Sequence, residues 1–324
     1  MSTTRTRWGS VVAVMVIAPW MAEMSWGGIP FTDVLLVIAF LGPMYGGAAI
    51  LIREVTRRAG RGWPTVLLLA AAFGVLQAGV VDQSLFNPEY ARYDFQHPLH
   101  VDGIDISLYY LVAFVTGHVV VSVTVPLVLA ESWSPCPGAP WLSRRGVRVV
   151  AGLYVVASVI NHLGVKDEDG RGFQASPLQV AVALATVAAL VAVALSWPRR
   201  SATDARVPPP WAMACLGFAG YLFHLPSEDA AAVAVAVAVI GGTSAVVGRW
   251  GRSAGWTAEH VFGLALGVTL TGVVIPFVAD PYAADVGRAR EMLDDGVAAA
   301  ICLVGAGLTV WRRRRRHRPA TAGP

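Results

Sequence analysis

Charge is scarce in this sequence. Only 14% of its 324 residues are Asp, Glu, Lys or Arg, while 55% are hydrophobic. A soluble chain carries roughly 25% charged residues. With a mean hydropathy of +0.57, the composition excludes an ordinary soluble domain and makes a multi-spanning membrane protein the default. Cysteine is nearly absent as well. Cys136 falls in a loop, and Cys215 and Cys302 fall inside apolar runs. With no paired spacing and no CxxC, neither a disulfide framework nor a zinc site is indicated. No P-loop, GxGxxG or HExxH occurs, so nucleotide-driven transport within this chain and the commonest zinc-hydrolase signature have no support. Neither a soluble domain nor a repeat of about 20–50 residues is visible.

What is present is apolar length. A helix of about 20 apolar residues crosses the hydrocarbon layer. That ruler predicts ten spans, at 9–28, 31–52, 63–83, 106–130, 147–165, 176–197, 209–225, 229–248, 256–279 and 295–311. The run 209–225 is short and interrupted by His224. The run 229–248 is nearly all Ala, Val and Gly, which reads as lipid-compatible filler with small faces for close packing. The first run follows Arg5 and Arg7 but lacks a convincing cleavage site, so it reads as a retained helix.

The net charge of +4 matters less than its distribution. With the N-terminus inside, the cytoplasmic segments hold Arg5, Arg7, Arg53, Arg57, Arg58, Arg61, Arg144, Arg145, Arg148, Arg199, Arg200, Arg206, Arg249, Arg252, Arg312 to Arg316 and Arg318. The opposite side keeps Arg92, Lys166, Arg171, Arg288 and Arg290, five of 25 basic residues. Acids show the reverse bias, as at Asp94, Asp102, Asp105, Asp167, Glu168, Asp169, Asp280 and Asp285. Basic residues resist translocation, so this alternation supports ten spans with both ends cytoplasmic. The expected fold is an all-α, polytopic transmembrane helical bundle forming one integral membrane domain, 1–324, in the cell (plasma or inner) membrane. Its first partner is the lipid bilayer. The C-terminal RRRRRHR run reads as a stop-transfer anchor on anionic lipid headgroups rather than a nucleic-acid site. No protein partner is readable. The external loop near Ser84–Asp105 is rich in aromatics, carries His97 and His100, and is long enough to lid an outward cavity.

Misplaced polarity marks the candidate site. Gln77 lies among Ala, Gly, Val and Leu, and Asp82, Gln83 and Asn87 gather at the end of the same run. An uncompensated amide in hydrocarbon costs a few kcal/mol, so Gln77 must face protein or water. Gly74 and Gly79 on either side let another backbone approach. His118 sits at the centre of its span, with Phe114 and Ser122 four residues before and after it on the same helical face. Such a histidine is neutral and hydrogen-bonded, to Ser122 or a neighbouring helix. Tyr154, Ser158, Asn161 and His162 form another stripe, and His224 lies near an external end. The functional reading gathers Gln77, Asp82, His118, Asn161, His162 and His224 around an outward-opening cavity. The plainer reading makes them interhelical hydrogen bonds. Three histidines with an acid are a possible donor set for a divalent metal, and two histidines for a haem. HxxxH and HExxH spacings are absent, and no cofactor is assigned. Glu23, Asp33, Glu54, Glu131 and Glu259 sit at span ends, where local charge compensation or a helix N-terminus accounts for them.

The segment YGGAAILIREVTRRAGRGWPTVLLLAAAFGVLQAGVVDQSLFNP and the later GHVVVSVTVPLVLAES resemble a family of uncharacterised actinobacterial multi-spanning membrane proteins. More remotely, the layout is similar to CAAX-protease and bacteriocin-processing intramembrane proteases. Those proteases carry adjacent glutamates, then Phe-x-x-x-His, then a further His motif. Phe114–His118 matches the second element, and His224–Glu228 is the nearest candidate for the third. The glutamate pair would fall at Gln77 and Ala78, neither of which is acidic. That resemblance therefore implies a chain without its general base, and no catalytic residue is assigned. Asp82, five residues from Gln77, lies roughly 140° around an α-helix and cannot replace it. The leading expectation is a non-enzymatic protein that binds or passes a small solute or lipid-like ligand. The alternative is an intramembrane peptidase-like enzyme.

Overall fold

In the computed structural model the described residues are 7–90, 94–134, 136–198, 201–279 and 287–316, so Arg5, Arg92, Arg199, Arg200, Asp280, Asp285 and Arg318 lie outside them. The architecture is an all-α polytopic membrane bundle. Eight helices are long and apolar enough to cross a membrane. They are α2 (Phe31–Arg58), α3 (Trp63–Val81), α4 (Leu108–Trp133), α5 (Arg144–Asp167), α6 (Pro177–Ser196), α8 (Ala230–Trp250), α9 (Ala258–Phe277) and α10 (Arg288–Arg316). Two shorter apolar helices, α1 (Trp8–Met24) and α7 (Pro210–Leu222), complete the bundle. Chain chemistry sets the starts: Gly62 and Pro64 open α3, Ser143 caps α5, a Ser176–Gln179 capping box opens α6, and Asp229 caps α8.

Hydrogen bonds between loops sort the helix ends onto two faces. On one face Arg7 N–H donates to Trp141 O, Arg58 to Leu142 O, Arg61 to Trp197 O, and Arg313 to Glu259. On the other, Phe31 N–H donates to Asp294, Asn87 to Gly170 O, Gln179 to Ile104 O, and Arg171 pairs with Glu89. The first face carries most of the arginines and the second most of the acids. The loop between α3 and α4 ends in a two-stranded hairpin, β1 (His100–Val101) with β2 (Ile106–Ser107). Its Phe95 is buried against Tyr110 and Phe114.

The main core lies between α1, α2, α3 and the later half of α4, around Val14, Ile50, Phe73 and Leu127. Helices α5, α6 and α8 sit at the periphery with apolar side chains outward. On α8, Ala232 and Ala236 are buried, whereas a Cβ at Gly241, Gly242 or Gly248 meets nothing within 4 Å. Closer backbone packing is made by α7 and α9. A Cβ at Gly263 would stand 2.4 Å from Pro210 O, and one at Gly267 2.0 Å from Ala214 O. This small-xxx-small pair lets backbones touch, which gives the 13-residue α7 its seat.

Candidate functional site

Four helices break their α-helical register beside one cavity. Trp20–Met24 in α1, Gly42–Gly46 in α2, Gln77–Val81 in α3 and His118–Thr124 in α4 are π-helical. Their i→i+5 bonds place one extra residue in the turn, an arrangement common at functional sites. The four segments bring polar side chains to the wall: Glu23, Tyr45, Gln77, and His118 with Ser122. Backbone groups inside these turns bond within the protein, as apolar surroundings demand. Ser25 N–H donates to Trp20 O, and Thr124 Oγ1 to Val119 O at 2.6 Å.

The π turn of α3 corrects the expected geometry of Asp82. The Asp82 N–H donates to Gln77 O at 2.9 Å, five residues back, and so brings residue 82 over residue 77 rather than to another face. Gln77 Nε2 then donates to Asp82 Oδ2 at 3.4 Å and to Asn161 Oδ1 on α5 at 3.3 Å. Asp82 Oδ1 accepts from Ser84 N–H and Oγ. Gln77 is 1% exposed, and its Oε1 has no partner.

His118 is bonded within its own helix, not to Ser122: its Nδ1 lies 2.6 Å from Phe114 O. A carbonyl only accepts, so Nδ1 carries the proton and a neutral ring presents its lone pair at Nε2. That buried Nε2 has no hydrogen-bond partner, so no carboxylate of the described residues reaches it. The ring is held by Phe73 and Tyr45, at centroid distances of 5.4 and 5.8 Å. Gly74 makes this packing possible, because a Cβ there would sit 3.1 Å from His118 Cβ and 3.2 Å from Val115 Cα.

The cavity has a volume of about 1720 Å³ and opens on the acid-rich face. Of the sequence-derived candidates, Gln77, Asp82, Phe114, His118, Ser122, Asn161 and His224 line it. His162 does not. Its Nδ1 contacts Val81 O at 2.8 Å and braces the π turn from behind. His224 lies at the mouth, stacked on Tyr221 at 5.0 Å. Among the wall residues outside the expected set are Glu23 and Tyr45, whose hydroxyl donates to Glu23 Oε1 at 2.6 Å. Glu23 had been assigned to a span end. An acid inside an apolar run, and a tyrosine flanked by Gly42, Gly46 and Gly47, were the available signals. The roof comes from the α3–α4 loop through Tyr90 and Phe95. On that loop, the backbone N–H of Gln96 and then His97 hold the Asp94 carboxyl below its ordinary range. Among the described residues no group of three His, Cys, Asp or Glu side chains is placed to hold a metal ion.

At the other end of α2 lies a second polar cluster. Arg53, 1% exposed, stands 3.6 Å over the Trp141 ring and pairs with Glu131 at 2.8 Å. Arg57 also pairs with Glu131, at 3.0 Å, and Arg58 with Glu54, at 2.9 Å. Glu54 Oε1 accepts the N–H groups of Trp141 and Leu142. This cluster pins the α4–α5 loop beneath the bundle.

A family model matches residues 12–317, nearly the whole chain. The protein belongs to an uncharacterized membrane protein family. No curated protein and no solved structure matches it. The family assignment agrees with the bundle and its membrane-length helices, and carries no activity with it.

Proposed function

We propose that this family member binds or passes a small solute or lipid-like ligand through its polar cavity, without chemical turnover. The observation that carries the reading is the cavity floor, where the buried Gln77 Oε1 and the His118 Nε2 have no partner. Buried polar atoms in an apolar interior are normally satisfied, and leaving one unmade costs about 1–3 kcal/mol. A ligand supplies the missing partners. The intramembrane-peptidase alternative lacks support at the same place. Gln77 is an amide engaged with Asp82 and Asn161, Ala78 offers no base, and nothing acidic bonds His118. Prenylated and hydrophobic peptides should therefore remain uncut by the purified protein, and cleavage that vanishes in His118→Ala would put the enzyme first.

The loop charges support ten spans with both ends in the cytoplasm, in one domain of a plasma or inner membrane. The quoted segments support kinship with actinobacterial members. Exposed Arg312, Arg314 and Arg315 suit anionic headgroups, whereas Arg313 is engaged by Glu259 and Phe262. Cavity and orientation are tested together by thiol labelling in a background of Cys136→Ser, Cys215→Ala and Cys302→Ala. Gly117 lines the cavity, and a Cβ there meets nothing within 4 Å. Gly117→Cys should react with a membrane-impermeant maleimide from outside, and Gly138→Cys in the α4–α5 loop only from inside. An inert Gly117→Cys would remove the open cavity; labelling of Gly138→Cys from outside would invert the topology.

A further inference from the structure

The floor of the cavity is short of donors. Glu23 and Asp82 are both on its wall, and among the described residues no Lys, Arg or His nitrogen lies within 4 Å of either carboxylate. Their contacts are with neutral donors only: the Tyr45 hydroxyl, the Gln77 amide and Ser84. The two partnerless atoms beside them, Gln77 Oε1 and the His118 Nε2 lone pair, are acceptors as well. Gln77 provides the independent sign of a ligand: a side chain 1% exposed on the cavity wall, whose buried oxygen has no hydrogen-bond partner among the described residues.

We propose that the ligand is an organic cation with N–H donors, a protonated amine on a compact apolar body; this rests on the ligand-binding reading above. Two acids that repel one another in a poorly solvated chamber are both stabilised by one cation between them. The N–H groups of an ammonium meet Gln77 Oε1 and His118 Nε2. Its apolar body meets the aromatic wall of Tyr45, Tyr109 and Phe114, rings of the kind that attract a cation. The mouth adds long-range attraction, since Glu168, Asp169 and Glu228 outnumber Arg171 there. A neutral alcohol offers one donor and leaves the acids uncompensated. A carboxylate adds a third negative charge.

The test is protection of Gly117→Cys from the maleimide in proteoliposomes by benzylamine, cyclohexylamine or putrescine, with benzyl alcohol, benzoate and sodium chloride as controls. At least one amine should slow labelling saturably, and the controls should not. Asp82→Asn should weaken that protection by about tenfold or more, as expected for a lost buried charge contact, and Asp82→Glu should retain most of it. Baseline labelling equal to that of the parent shows that each variant keeps the cavity. Protection by benzoate or benzyl alcohol equal to that by the amines overturns the cation assignment. So does protection by none of the three amines, or protection by sodium chloride alone; in each case the open cavity still stands through its labelling. Loss of labelling without any ligand removes the cavity itself.

Discussion

The two ends of α2 carry polar clusters built on opposite principles. Tyr45 and Arg53 are eight residues apart, ~12 Å along the helix. On the arginine side every charge has a counter-charge, although Arg53 Nη1 and Trp141 Nε1 make no hydrogen bond among the described residues. Arg53 and Arg57 share Glu131, Arg58 pairs with Glu54, and Glu54 also holds the backbone of Trp141 and Leu142. On the tyrosine side, among the described residues, two carboxylates have no cation within 4 Å, and an amide oxygen and an imidazole nitrogen have no hydrogen-bond partner. Both clusters sit in apolar surroundings where unmet polarity is costly. The first therefore reads as a structural latch. The second reads as a place completed by something from outside the chain.

This contrast can be broken by mutation, and the largest effect is expected at the latch. Glu54→Ala takes the counter-charge from Arg58 and leaves the buried Trp141 and Leu142 N–H groups unmet, and removing one partner of a buried pair costs about 3–5 kcal/mol. Thermal unfolding in nanodiscs should show a large drop in Tm. An unchanged Tm would mean that the cluster is not a latch. An intermediate effect is expected at Gly74→Val, because the Cβ meets His118 Cβ at 3.1 Å and Val115 Cα at 3.2 Å. Overpacking of that kind costs about 1–3 kcal/mol. It should also displace His118 and change the maleimide rate at Gly117→Cys, whereas an unaltered rate would detach Gly74 from the site. The smallest effect is expected at Gln77→Met. It removes an unmet oxygen together with two long bonds, at 3.3 and 3.4 Å, whose acceptors Asp82 and Asn161 face the open cavity. Stability should move by no more than about 1 kcal/mol in either direction. A loss as large as that of Glu54→Ala would make Gln77 structural and erase the distinction between the two ends.

Much of the candidate wall was legible because polarity inside an apolar run is itself a signal. Gln77, Asp82, His118, Asn161 and His224 stand out for that reason, and the structure brings all five to one cavity. Gly74 was legible too, as a place of close approach, though not as the seat of His118. Glu23 and Glu131 were not singled out. An acid near a span end has an ordinary local explanation, and only the neighbouring helices show that Glu23 meets Tyr45 and Glu131 meets two arginines. His162 misleads in the opposite sense: it shares the stripe of Asn161 but turns to the Val81 carbonyl.

Apolar length and the scarcity of charge determined by themselves that this is an all-α membrane bundle and, to within several residues, where its helices lie; α2, expected at 31–52, runs to Arg58, and α10, expected at 295–311, runs from Arg288 to Arg316. Those properties depend on each segment's own chemistry and its exchange between water and lipid. Tertiary structure alone decided the register within the helices and the partners across them. A π turn shifts every later side chain around the axis, and in α3 the carbonyl of Val81 in that turn meets His162 of α5. The approach of Asp82 to Gln77 depends on such a turn, and the seat of His118 depends on Gly74 of a neighbouring helix. The unmet acceptors of the cavity floor exist only once α1, α2, α3, α4 and α5 are side by side.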